Sequence, residues 1–157
     1  MIQESLKKMV QRQDLDESEM AEVMTEIMSG SASEAQIGGV MAALATKGET
    51  FAELAGAARA MRRKATRVQV IAQTVVDTCG TGGDRSHTVN ISTMAAVVVA
   101  ASGAPVVKHG GRAASSAAGS ADVLEALGVA VDLAPAHVGE CLSDAGIVFC
   151  FAPVFHP

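Results

Sequence analysis

The sequence predicts an α/β protein: a small N-terminal helical domain over residues 1–70, then the first part of a mainly parallel α/β domain over residues 71–157, apparently truncated. Three observations carry this reading. Helix-start signatures precede amphipathic stretches throughout the first domain. From Thr74 onward, short apolar runs rich in β-branched residues alternate with helical segments, the pattern of parallel strands joined by crossovers. The last such run, IVFCFA, is followed only by PVFHP, so its sheet has an outer edge that another segment or chain must cover.

In the helical domain a short first helix is expected over Gln3–Gln11. Asp16 with Glu19, Ser33 with Gln36, and Thr50 with Glu53 each set a cap acceptor three residues before a long carboxylate or amide side chain, as a capping box requires. Behind the first box, Met20, Val23, Met24, Ile27 and Met28 share one helical face, and Gly30 supplies a left-handed stop. Behind the second come Ile37, Val40, Met41 and Leu44, ending near Gly48; behind the third, Leu54, Ala57, Ala58 and Met61. The methionines suit core or subunit packing, and the small residues Gly38, Gly39, Ala42 and Ala43 allow another helix to approach closely, so a homodimer through this domain is expected. The basic run Arg59, Arg62, Arg63, Lys64 and Arg67 falls at a helix C-terminus, where cations complement the dipole; an anion-binding role is the alternative.

In the second domain the expected strands are TVVD, PVVK, VAVDL and IVFCFA, separated by helices over Ser92–Ser102, Ser120–Leu127 and Ala136–Ala145. The unalternated first and last runs suit strands buried on both faces.

Composition removes several functional classes. A net charge of −5 argues against a protein held by the field of nucleic acid, and the absence of Trp and Tyr removes base-stacking platforms. No apolar run reaches membrane-spanning length, and the polar N-terminus has no signal-peptide block, so a cytoplasmic protein without membrane partners is expected. Cys79, Cys141 and Cys150 are odd in number and lack a C-x-x-C spacing, which fits reduced thiols.

The chemistry is expected where ligands bind open α/β sheets, beyond the carboxyl ends of the strands. DTCGTGGDRSHTVNIST follows the first strand; its glycines permit close backbone approach, and Asn90, Ser92 and Thr93 open the next helix, where amides and hydroxyls face an anion. It is neither a P-loop, lacking Gly-Lys-Ser/Thr at the required spacing, nor a dinucleotide fingerprint, because Arg85 stands at the third glycine position. A second loop, KHGGRAASSAAGSAD, offers Lys108, His109 and Arg112 as cations, Gly110 and Gly111 for close approach, and Ser115, Ser116 and Ser120 as donors, with Ser120 and Asp122 also readable as helix caps. Two anion cradles on neighbouring loops suit a ligand with separated phosphates, such as a sugar bearing a phosphate and a diphosphate.

GTGGD…NIST and KHGGRAASSAAGSADVLEALG, preceded by IMSGSASEAQIGGVMAALATKGETFAELAGAARAMR, closely resemble the N-terminal half of the anthranilate phosphoribosyltransferase family. The resemblance implies a transferase of tryptophan biosynthesis that moves phosphoribose from phosphoribosyl pyrophosphate to the anthranilate amine and releases pyrophosphate, with Mg2+ and a homodimer through the helical domain. By matching position it implies that Gly80, Gly83, Asp84, Thr88, Asn90, Ile91, Ser92 and Thr93 bind phosphoribosyl pyrophosphate, with Ser92 also touching the metal. Lys108, His109, Gly110, Gly111, Arg112, Ala113, Ala114, Ser115, Ser116 and Ser120 are implied as the second substrate loop, with Gly80 and Gly111 near anthranilate. No catalytic nucleophile is expected. His109 is read as a binding or positioning group rather than a base, because the amine of anthranilate is already neutral.

Two departures stand out. The family's usual KHGNR is KHGGR here, so Gly111 lacks an amide expected to touch anthranilate, a loss of about 0.5 to 1.5 kcal/mol. The family's sequence beyond FAPVFHP, with an arginine for the anthranilate carboxylate and an Asp-Glu pair for magnesium, is absent, so this chain alone is expected to be incomplete and inactive. A nucleoside phosphorylase-like enzyme and a non-catalytic anion-binding remnant are the alternatives.

Overall fold

The computed structural model describes residues 1–80, 89–113 and 118–156. The chain forms two compact units, Met1–Ala65 and Thr66–His156. Val68 and Val70, at the end of the stretch read from sequence as helical, pack into the second unit's core, and Thr66 N donates to Phe155 O at 2.8 Å.

The first unit holds α1 (Ile2–Val10), α2 (Glu17–Met28), α3 (Glu34–Lys47) and α4 (Phe51–Lys64). All three capping boxes form, so helix-start chemistry written in sequence fixes where α2, α3 and α4 begin. The core gathers Ile2, Met9, Met20, Val23 and Val40 from the apolar faces of the first three helices, with Leu15 from the loop between α1 and α2. The capping glutamate of α4 does more than cap. Glu53, 1% exposed, accepts from Leu15 N at 2.9 Å and Thr50 N at 2.8 Å, and pairs with Lys47 Nζ at 2.9 Å; Lys47 also reaches Asp14 at 2.7 Å. Burial raises the Glu53 carboxyl, but these hydrogen bonds outweigh it and leave its pKa below the ordinary value of 4.5.

Close helix packing is set by two glycines. A Cβ on Gly56 of α4 would collide with the carbonyl oxygen of Glu17 in α2, while one on Gly39 of α3 would meet Leu6 Cδ2 of α1 at 3.2 Å. Of the small residues noted in α3, Gly39 therefore receives α1, whereas Gly38 faces open space.

The second unit holds α5 (Ile91–Ala101), β1 (Val106–Gly110), α6 (Ser120–Ala126), a 3-10 turn (Pro135–His137), α7 (Val138–Ala145), β2 (Ile147–Phe151) and the short α8 (Ala152–Phe155). β1 and β2 pair in parallel, Val106 opposite Ile147 through Gly110 opposite Phe151. Two expected strands differ. TVVD contributes only a parallel bridge, Val76 to Val106, on the other side of β1. VAVDL forms no strand: Val129 N turns back to Leu124 O at 2.9 Å, and Val131 and Leu133 pack by their side chains. Apolarity without a neighbouring row of backbone donors and acceptors makes a core segment rather than a strand. Among the described residues, no helix is long and apolar enough to cross a membrane.

Candidate functional site

The site gathers at the carboxyl end of β1, where three segments meet: the stretch following the Val76 bridge, the N-terminus of α5, and the loop leaving β1. Lys108 lies on β1 and is 2% exposed. Its Nζ donates to Ser92 Oγ at 3.4 Å and to His109 O at 3.5 Å, both long, and among the described residues it joins no ion pair. A buried ammonium held only by neutral oxygens is a standing demand for an anion.

Around that contact the segments are stitched together by hydroxyls and amides. Thr78 Oγ1 donates to Ser92 O at 2.7 Å, Thr93 Oγ1 to Ser120 Oγ at 3.0 Å, and Asn90 Nδ2 to Ala118 O at 3.2 Å. Asp77 Oδ1 accepts from both Cys79 N, at 2.9 Å, and His109 N, at 3.3 Å. Asn90 makes no side-chain cap to α5; it joins the helix start to the second loop.

Arg112 is committed locally. It forms a two-pronged pair with Glu125, at 2.5 and 2.7 Å, reaches Asp122 at 3.0 Å, and lies 5.5 Å from the Phe151 ring centre. Asp122 accepts from Gly119 N at 2.7 Å and Ala113 N at 2.9 Å, and these backbone donors hold its carboxyl below the usual range. Its capping role is thus the observed one, and it also closes the base of the second loop. Gly119 permits this closure, since a Cβ there would collide with Arg112 and Ala113 backbone atoms.

His109 sits beside His156, ring centres 4.9 Å apart and nearly perpendicular. Burial, reinforced by His156, pushes its pKa below the ordinary 6.5, and its Nε2 is buried without a hydrogen-bond partner among the described residues. A neutral imidazole with one open nitrogen can position a substrate by hydrogen bonding. Cys79 is exposed, and its thiol is raised by the hydrogen bond to Asp77, so it is not an activated nucleophile.

The structure therefore brings together Asn90, Ser92, Thr93, Lys108, His109 and Ser120, with Gly110 and Gly111 continuing β1 outward. Gly80 has open space where a Cβ would stand, and Ile91, the first residue of α5, is exposed. Gly83, Asp84, Thr88, Ala114, Ser115 and Ser116 lie outside the described residues. Sequence reasoning passed over Asp77, Thr78, Gly119 and His156; the first two stand inside the quoted motif, but only folding shows what they bridge. Among the described residues no cluster of three His, Cys, Asp or Glu side chains could hold a metal.

Comparison with known proteins identifies the family of both units. Residues 3–65 match the helical bundle domain, and residues 72–157 the α/β domain, of a glycosyl transferase family. The chain is 62% identical over 156 residues to an anthranilate phosphoribosyltransferase from Syntrophobacter fumaroxidans, covering 99% of this chain and 46% of that protein. A counterpart from Desulfosudis oleivorans is 58% identical with the same coverage. The chain thus spans about half the length of the curated relatives it matches. Among solved structures, the anthranilate phosphoribosyltransferase of Thermus thermophilus superposes with a TM-score of 0.85 at 47% identity, covering 97% of this chain and 46% of that one. The Saccharomyces cerevisiae enzyme in complex with phosphoribosyl pyrophosphate and Mg also superposes with a TM-score of 0.85, at 25% identity, covering 99% and 47%. With both domain models matched in tandem along a chain that folds as a helical unit followed by an α/β unit, the protein belongs to the glycosyl transferase family that combines these two domains.

Proposed function

We propose that this chain supplies the helical unit and the donor-binding part of an anthranilate phosphoribosyltransferase, the enzyme that transfers phosphoribose from phosphoribosyl pyrophosphate to anthranilate in tryptophan biosynthesis. The observation that carries the reading is the meeting of Lys108 and Ser92: a buried ammonium on β1 and a hydroxyl in the first turn of α5, 3.4 Å apart. Such a pair meets a phosphate from two directions. Support comes from relatives of that name at 62% and 58% identity.

In this reading the C1–oxygen bond of the ribose breaks as pyrophosphate leaves with the bonding pair, and the anthranilate nitrogen attacks the carbon from the opposite face and then gives up its extra proton to solvent. Lys108 stabilises the charge that develops on the leaving group, and Ser92 with the α5 N-terminus orients it. His109, its pKa held below the ordinary 6.5, serves as a binding or positioning group rather than a base. Bound magnesium supplies charge neutralisation at the diphosphate, and Ser92 Oγ is the described oxygen that would contact it, the diphosphate itself providing further oxygens. Gly80 and Gly111 line the acceptor side in this reading, and Gly83, Asp84, Thr88, Ala114, Ser115 and Ser116 complete the donor loops. A cytoplasmic location belongs with this biosynthetic role.

The test is Lys108→Gln made in the full-length enzyme, assayed by loss of anthranilate fluorescence with phosphoribosyl pyrophosphate and magnesium. Removing a charged hydrogen-bonding partner predicts a fall in kcat/KM for the donor of about ten- to a hundredfold with thermal stability retained. Donor kinetics equal to wild type would reject the assignment.

A further inference from the structure

We propose that Asp77 is a positioning residue whose carboxylate sets the separation between the two anion-binding loops; the inference rests on the phosphoribosyl transfer proposed above. The geometry of the sheet's end points to it. Val76 makes the two bonds of a parallel bridge, donating to Pro105 O at 2.9 Å and accepting from Val107 N at 3.0 Å. Were the ladder to continue, the next donor on β1, His109 N, would pass to the carbonyl of Thr78. It passes instead to the side chain of Asp77, at 3.3 Å.

That substitution of a carboxylate for a backbone carbonyl ends the ladder without stranding a donor. The main chain at Thr78 is released from the sheet, and the Thr78 hydroxyl turns to Ser92 O at 2.7 Å. The same Asp77 oxygen accepts from Cys79 N at 2.9 Å, a turn of the kind aspartate makes two residues ahead of itself. One atom therefore holds Cys79, just ahead of the glycine loop, and the backbone of His109, where β1 runs out into the second loop. A ligand spanning both cradles meets a spacing fixed before it arrives, which lowers the ordering cost of binding.

The experiment compares wild type, Asp77→Ala and Asp77→Asn in the full-length enzyme by hydrogen exchange at the Cys79 and His109 amides, by steady-state kinetics with phosphoribosyl pyrophosphate and anthranilate, and by thermal unfolding. Asparagine keeps an acceptor oxygen at Oδ1; alanine removes it. Expected are faster exchange at both amides in Asp77→Ala, a donor KM raised roughly tenfold with a smaller change in kcat, and recovery of most of both effects in Asp77→Asn. Unchanged exchange at the two amides overturns the inference whatever the kinetics. Faster exchange with an unchanged donor KM overturns the positioning role, as does failure of Asp77→Asn to recover what Asp77→Ala loses. An Asp77→Ala protein that does not fold overturns it too, making the residue part of the fold rather than of the site. Wild type that consumes neither substrate is a separate result, seen before any variant is made; it removes the proposed function and this inference with it.

Discussion

At the scale of single residues, the site is governed by what each side chain lacks. Gly111 lacks a side chain, and a Cβ there would meet only Ala152 Cβ at 3.9 Å, an ordinary contact. Space is therefore no reason for glycine. Gly111→Asn is expected to lower the KM for anthranilate roughly two- to tenfold, the return of one neutral hydrogen bond, with donor KM unchanged; a KM that rises instead would place the side chain across the acceptor's path. His109 lacks a proton. Its pKa is held below 6.5 by burial and by His156, so the fold favours the neutral ring. The resulting stability is fully present above about pH 6.5 and is lost as pH falls through the lower value it has in the folded chain. Histidine NMR titration should place His109 below the ordinary 6.5, and His156→Gln should move it upward; a His109 that titrates above 6.5 would contradict the buried geometry.

Among secondary-structure elements, the helices of the first unit were legible because capping is local chemistry: Asp16, Ser33 and Thr50 each meet a partner three residues away, and no distant contact is needed to decide it. VAVDL was misread for the opposite reason, since whether an apolar run becomes a strand depends on a neighbour remote in sequence. The role of Asp77 was hidden in the same way, its partner His109 lying on another element. Packing glycines show the same limit. Gly38 and Gly56 look alike in sequence, yet one faces solvent and the other the backbone of α2. Replacing helical glycine by alanine gains about 1 kcal/mol, while pressing a methyl into fixed backbone costs about 1–3 kcal/mol or more. Gly38→Ala should raise stability in urea unfolding by up to about 1 kcal/mol. Gly56→Ala should lower it by about 1–2 kcal/mol, and equal signs for the two would refute the close α2–α4 approach.

For the whole molecule, the exposed side of α4 stands out. Phe51, Leu54 and Met61, with Ala58 between, share one helical face and are 87%, 58% and 43% exposed for the three large residues, while Glu53, Gly56 and Ala60 are buried on the other. An apolar face of this kind supports the homodimer through the helical unit that the sequence leads one to expect. Leu54→Asp should shift sedimentation from dimer toward monomer without lowering the melting temperature, and a wild type that sediments as a monomer at all concentrations would end the dimer reading. Both units must close across distant sequence. In the first, α1 packs on α3 and α2 on α4, each across an intervening helix, with Gly56 brought against Glu17. In the second, Val106 must find Ile147, a closure of roughly forty residues whose entropy is spent before any rung of the ladder returns it. During synthesis the helical bundle thus closes only once α4 has emerged to meet α2, and the Lys108–Ser92 contact waits on the parallel pairing that holds β1 in place.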